Sequence, residues 1–326
     1  MFAFVALTFI YTLDRLPLFD NNGSLLANLK ALYVRPLSIN YPANNPYSRE
    51  KARLGKRLFF DPLLSRSGTQ ACATCHSPAL GWSDGLPLAV GNQGVLLDRK
   101  SPTILNAAFG WSFFWDGRAQ SLEEQALQPI QNPREMNLSI PELIVRLKKS
   151  AEYRHLFSGA FPDREINQKN IARALATFER QINSKISPFD RWIEGNESAL
   201  SIGAKRGFIL FNNKAQCAQC HSGWNFTNGM FSETGVPGKD VGRQSVEPNS
   251  LLAFAFKTPT LRNIGKRKPY MHNGIFSDLM SVINHYDTGG TITRAHTRNF
   301  IKPLHLNSKE KADLLAFLLS LNEEKP

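Results

Sequence analysis

No stretch of this sequence alternates polar and apolar residues for long enough to build a large sheet, and that absence argues for a mostly α fold. Dense lysine and arginine runs are also missing, and no nucleic-acid-binding motif is present. The formal charge of +12 therefore does not point to nucleic acid. The triplet Lys266-Arg267-Lys268 reads as a local feature rather than a docking patch. A basic excess of this kind would instead steer an acidic protein partner. The apolar run from Met1 to Leu13 is followed by Asp14 and Arg15, and it is too short to span a bilayer as a free helix. It suits the apolar part of an export signal, although the usual basic start and a clear cleavage site are both missing. A cleaved signal, a retained N-terminal membrane anchor and an ordinary buried element all remain open.

What is present is a globular composition, with 42% hydrophobic and 20% charged residues. The length of 326 residues suits two modest domains.

Cysteine is scarce and none is spare. All four lie in two Cys-x-x-Cys-His units, Cys72-Ala-Thr-Cys75-His76 and Cys217-Ala-Gln-Cys220-His221. This spacing is that of c-type haem attachment. Two thiols add across the vinyl groups of one haem, and the adjacent histidine is drawn under the iron as its proximal ligand. A disulfide framework or a four-thiolate zinc site competes for the same cysteines, but each leaves both histidines idle. A thioredoxin-like pair would need a βαβ context that the sequence does not offer. Two covalently attached haem c groups, on Cys72 and Cys75 and on Cys217 and Cys220, use every cysteine. His76 and His221 are then the proximal iron ligands. Attachment of this kind takes place outside the cytoplasm, so the expected location is the periplasm.

Each unit follows a helical pattern. Ser48 is placed to cap a helix carrying Leu54, Leu58 and Phe59, and the stretch from Ala204 to Phe211 reads as its counterpart. Further helical spacing runs from Glu142 to Lys149, through Ile171, Leu175, Phe178 and Ile182, and through Leu314, Leu315, Leu318 and Leu321 behind a capping box of Asn307 and Glu310. The loops 81–103 and 222–260 are long for a compact domain. A haem would supply the core they lack. The expected division is a signal, anchor or extension over 1–44, an N-terminal cytochrome c-like domain over 45–190, and a C-terminal one over 191–326. The linker would run from Ser187-Pro188 to Gly195-Asn196. Little internal identity shows beyond the two haem units.

The residues around these units resemble the bacterial dihaem cytochrome c peroxidase family, and its MauG-like branch in particular. The resemblance runs from about Asn45 to Leu321. It rests on Leu58-Phe59-Phe60-Asp61, Asp84-Gly85, Pro102-Thr103, Phe114-Trp115-Asp116-Gly117-Arg118, Glu124-Gln125-Ala126, Pro129 and Glu135-Met136 in the first half. In the second half it rests on Thr258-Pro259-Thr260-Leu261-Arg262-Asn263 and Pro269-Tyr270-Met271-His272-Asn273-Gly274. It implies a peroxide-binding N-terminal haem and an electron-transfer C-terminal haem. Glu135 would be the acid over the first iron, moving a proton between the peroxide oxygens. Gln125 and Pro129 would line that pocket, and Trp115 would relay electrons between the haems.

The sequence departs from the family pattern at three places. Asn92 stands where a histidine closes the resting peroxidatic haem, and no histidine lies between His76 and His155. The first haem is therefore expected to have an open or water-bound sixth site, with no reductive activation. Tyr286 stands where peroxidases of the family place a methionine on the second haem, as in the MauG-like branch. His285, Met271 and Met280 compete for that role. Lys100 stands where an asparagine helps to hold calcium between the haems, which puts that ion in doubt because an ammonium cannot ligate it.

Three functions remain. The first is a peroxidase that reduces hydrogen peroxide with electrons from a small donor protein, a cytochrome c or a cupredoxin. The second is a MauG-like oxidase of a partner protein's side chains. The third is an electron carrier without catalysis.

Overall fold

The computed structural model describes residues 24–294 and 301–324, and the apolar run at the N-terminus lies outside them. Among the described residues no helix is long and apolar enough to cross a membrane. The fold is mostly helical. The only named strands there are two-residue β1 (Phe231–Ser232) and β2 (Phe256–Lys257), paired antiparallel with Phe231 opposite Lys257.

Two apolar cores organise the chain. The first gathers α2 (Arg49–Phe59), α4 (Leu122–Gln131), α5 (Ile140–Lys149), α6 (Ala151–Ala160) and α7 (Gln168–Glu179) around Leu54, Leu58, Leu143, Phe157 and Leu175. The short α3 (Cys72–Cys75) carries the first pair of cysteines beside it. The second gathers α8 (Pro188–Ile193), α9 (Ile202–Asn212), α10 (Leu279–Asp287) and α11 (Ser308–Ser320) around Phe189, Phe208, Phe211, Phe226 and Phe317. The N-terminal α1 (Ser24–Ala31) and Tyr33 join this second core, with the Tyr33 hydroxyl donating to Asn212 at 2.6 Å. Part of the segment expected as an extension is thus a structural piece of the other end of the chain. The expected caps form. Ser48 accepts from Lys51 N at the start of α2, and Asn307 and Glu310 make the capping box of α11.

The two halves repeat one another far more closely than their identity suggests. A Cβ on Gly55 of α2 would lie 1.9 Å from the Ala174 carbonyl of α7, and one on Gly207 of α9 would lie 2.0 Å from the Asp313 carbonyl of α11. Only glycine permits either helix pair to approach so closely. The next near atoms are Phe178 Cβ and Phe317 Cβ, so α2–α7 and α9–α11 are equivalent pairs. Thr103 and Thr260 each cap the backbone two residues on, and each donates its hydroxyl to a carbonyl, of Gly81 and of Asn225, at 2.7 Å. Asn106 and Asn263 follow in left-handed backbone, at φ 60° and 57°. Phe114 and Met271 match at φ 68° and 72°. The bridges Phe113–Ala119 and Tyr270–Phe276 match, and so do the caps Ser121 of α4 and Asp278 of α10.

The repeats are tied across their junction by reciprocal bonds. Lys100 N donates to His272 O at 2.7 Å, and Lys257 N donates to Trp115 O at 2.8 Å. Beside them Arg99 holds Asp116 at 2.6 Å and grips Asp240 with two bonds, at 2.6 and 2.9 Å. Burial alone would raise the Asp240 carboxyl, but the Arg99 guanidinium and the Gly242 N–H hold it below the usual aspartate range. A depressed acid stabilises the fold above its unfolded pKa and stops doing so as pH falls through its folded value. Asp240→Asn should therefore lower the thermal midpoint by a few degrees at neutral pH. The gap from wild type should close below about pH 4, where the unfolded carboxyl also protonates. A gap that stays constant on acidification would mean that the Arg99 ion pair is not its source.

Candidate active site

The one-turn α3 places His76 directly after Cys75, with His76 N bonded back to Cys72 O at 3.0 Å. In the second half His221 N bonds to Cys217 O at 2.8 Å. Each imidazole is then held by its Nδ1. His76 Nδ1 lies 3.3 Å from Trp82 O and 3.4 Å from Ser101 Oγ, and His221 Nδ1 lies 2.9 Å from Phe226 O. A ring donating from Nδ1 presents Nε2 as its free nitrogen, which is how proteins aim a histidine at a metal. Burial pushes both histidines down to about 4, so they are neutral and able to give a lone pair.

All four cysteines are unpaired, which disposes of the disulfide reading. Among the described residues no three His, Cys, Asp or Glu side chains gather to hold a metal ion, which disposes of the zinc reading. Cys72, Cys75 and His76 instead line a cavity of about 1340 Å³ that reaches the junction of the two halves. Its volume, its thiol pair and its aimed imidazole suit a porphyrin joined by thioethers.

Gln125, Pro129, Glu135 and Trp115 line the same cavity, so the residues expected around the first haem are brought together. Burial raises the Glu135 carboxyl above the usual range, opposed by a 2.6 Å bond from Asn132 Nδ2 and by Arg118 and Arg134. Trp115 donates its indole N–H to Lys100 O at 2.9 Å.

The loop bearing Asn92 is bound to the Glu135 segment. Asn92 N donates to Arg134 O at 2.9 Å, and Arg134 reaches back to Asp98 at 2.5 Å and to Leu96 O at 2.8 Å. A Cβ on Gly91 would lie 1.8 Å from that same Arg134 carbonyl. Among the described residues, only His76 and His272 contribute imidazoles to the cavity wall. His272 was not singled out by sequence. It stacks on Phe256 at 3.6 Å, stands 6.4 Å from Trp115, and is the repeat counterpart of Trp115. The shared pattern Pro-Thr-x-x-Asn, followed in each half by a glycine turn before a capped helix, was the signal that would have found it.

Near the second cysteine pair the competing ligands separate. His285 has both ring nitrogens occupied, by Thr291 Oγ1 and Thr234 O at 2.8 Å each. Met271 lines the first cavity, and Met280 lies in the first turn of α10. Burial pushes the Tyr286 phenol pKa up, and the side chain lies within electrostatic reach of Cys217 and Cys220. Tyr286 is the eighth residue of α10, and Pro129 is the eighth residue of the equivalent α4. The helix that offers a phenol to the second site thus offers the first a residue with no donor atom.

At the expected calcium position a cation is already built in. The Lys100 ammonium donates to Ser83 Oγ at 3.1 Å and to Leu86 O at 3.3 Å, and it lies 3.9 Å from Asp84. These residues do not fit a divalent ion there.

Residues 49–198 match the family model described as di-haem cytochrome c peroxidase, and residues 204–322 match that for cytochrome c. The chain is 49% identical to the methylamine utilization protein MauG of Methylorubrum extorquens, over 94% of this chain and 87% of that one. It is 35% identical to the cytochrome c551 peroxidase of Nitrosomonas europaea, over 95% and 89%. Among solved structures, a MauG-like protein associated with microbial copper homeostasis aligns with a TM-score of 0.81 and 30% identity, over 90% and 94%. With haem sites of matching chemistry in both halves, the chain belongs to the di-haem cytochrome c peroxidase family, as an oxidoreductase of peroxide with two covalently attached haem c groups.

Proposed function

We propose that peroxide is reduced in the first cavity and that the second haem stores or supplies the electrons. In this reading Cys72 and Cys75 anchor the first haem and His76 ligates its iron, while Cys217 and Cys220 anchor the second between His221 and Tyr286. The bound haems supply the redox chemistry. The chain's own part is to leave one iron reachable and close the other. The observation that carries this is the Pro129–Tyr286 pair at one helix position. Glu135 takes a proton from the near peroxide oxygen and returns it to the far one, so that the oxygen leaves as water. Its raised pKa brings it toward neutrality, where a carboxyl can serve in both directions. Gln125 borders the same space. Trp115, packed against His272 on the junction, is placed to pass electrons between the halves. No reductive activation is required in this reading, because Asn92 rather than a histidine stands on the loop bound to the Glu135 segment. The expected linker over 187–196 and the boundary between 190 and 191 fall on α8, which is packed in the second core through Phe189 and Trp192, so the first functional half ends ahead of Ser187. The whole acts in the periplasm with a protein electron donor or a protein substrate.

A second reading is favoured by Tyr286 and by likeness to the two MauG proteins, the second of them from Methylophilus methylotrophus at 47% identity. A phenolate is a hard anionic donor that stabilises oxidised iron. It makes the second haem a poor acceptor from a high-potential donor and a good store of oxidising equivalents. The partner would then be a protein whose side chains are oxidised.

Peroxide consumption with reduced small cytochrome c, set against oxidation of a candidate protein, separates the two. Glu135→Gln should lower the peroxide-dependent rate by about 10²- to 10⁴-fold in either case. An unchanged rate would remove Glu135 from the chemistry. If wild type does neither and peroxide leaves its spectrum untouched, the protein is an electron carrier. Tyr286→Phe should change the absorption and magnetic spectra of the second haem alone, and an unaltered second-haem spectrum would dismiss the phenolate ligand.

A further inference from the structure

The wall of the first cavity carries a carboxyl that the proposed chemistry does not use. Glu179 is the last residue of α7, is 4% exposed and lines the cavity. Its Oε2 is inaccessible and has no hydrogen-bond partner. The neighbouring charges are already committed. Arg180 is held by Glu123 of α4 through bonds of 2.7 and 2.8 Å. On α2, Lys51 donates to Asn45 and to Pro46 O, and the apolar Phe59 lies with its ring 5.2 Å from that of Phe178, the neighbour of Glu179. The remaining group in electrostatic reach is Cys72, a proposed haem anchor.

The repeat shows that the fold does not need this carboxyl. Phe178 corresponds to Phe317, so Glu179 corresponds to Leu318, a buried leucine. A charged carboxylate without a partner on a buried wall is costly, so the protonated form is favoured. Burial pushes the pKa up to about 8, with Arg180 opposing and Glu123 assisting.

We propose that Glu179 holds a proton whose presence is tied to the redox state of the first haem. When that haem loses one electron to an oxidant, the carboxyl gives one proton to solvent and the cavity's net charge is unchanged. When the electron returns, so does the proton. In turnover the oxidant is peroxide, which takes one electron from each haem and two protons to become two waters; in the test below it is an electrode. The assignment rests on the reading of the first cavity as a haem site. Glu179 touches no reacting atom in this scheme; it sets the charge that the haem meets.

The test is a spectroelectrochemical titration of the intact dihaem protein at several pH values on either side of pH 8. In wild type and in Glu135→Gln the first haem's midpoint potential should fall as pH rises through this region. In Glu179→Gln, which keeps the shape, and in Glu179→Leu, which copies the second half, the slope should be lost. The redox-difference infrared spectrum of wild type should contain a protonated-carboxyl band that Glu179→Gln removes. A slope and band that survive in Glu179→Gln overturn the proposal. A first cavity without any haem signal in wild type overturns the haem assignment beneath it instead, so the two failures are distinct.

Discussion

Everything in this molecule depends on two imidazoles being held by one nitrogen so that the other is free. His76 and His221 follow their cysteines by one residue, which is a covalent constraint. That constraint places the rings without aiming them. The aim comes from the carbonyls of Trp82 and Phe226, which take Nδ1. Those carbonyls are in turn placed by threonine hydroxyls on the neighbouring Gly81 and Asn225. Two loops that look irregular in sequence are therefore one device built twice. The loops that follow them are joined by Arg99 and Asp240 at the junction, where Trp115 and His272 sit.

Duplication explains the shared scaffold, and the proposed division of labour rests on the departures from it. At the eighth position of matching helices, Tyr286 brings a phenol to the second site while Pro129 leaves the first without a donor. After matching phenylalanines, Glu179 faces one cavity while Leu318 fills the other half. Trp115 and His272 differ in the same way. The first cavity is lined by the carboxyls Glu135 and Glu179, and the second half is packed with aromatic rings. Lys100 and Lys257 are matched as well, both with their backbone N–H groups across the junction and their ammonium groups on carbonyl or hydroxyl oxygens.

Much of this was legible in the sequence where one residue type carries the physics. Paired cysteines with a following histidine admit few chemistries, and a capped amphipathic helix is nearly independent of its surroundings, so α2, α9 and α11 were readable. Most of the repeat was not readable because, beyond the haem units and the short Pro-Thr-x-x-Asn pattern, it conserves backbone angles and hydrogen bonds rather than side chains. Left-handed backbone at Phe114 and Met271 is held by tertiary packing against the ordinary preference for glycine, and no local rule predicts it. Glu179 was missed for a related reason. A glutamate beside an arginine at a helix end reads as a solvated face, and only tertiary packing around α7 buries it. Tyr286 was proposed through family likeness, whereas the hydrogen bonds on both ring nitrogens of His285, which favour Tyr286 over it, needed the structure.

The central claim is that one iron is open and the other is closed by the protein. It is tested most directly by the electron paramagnetic resonance spectrum of the fully oxidised protein, isolated without any reductant. The account predicts two ferric haems in unequal states, one high-spin with an exchangeable sixth position and one low-spin with two protein ligands. Two low-spin haems, both closed by protein side chains, would contradict it.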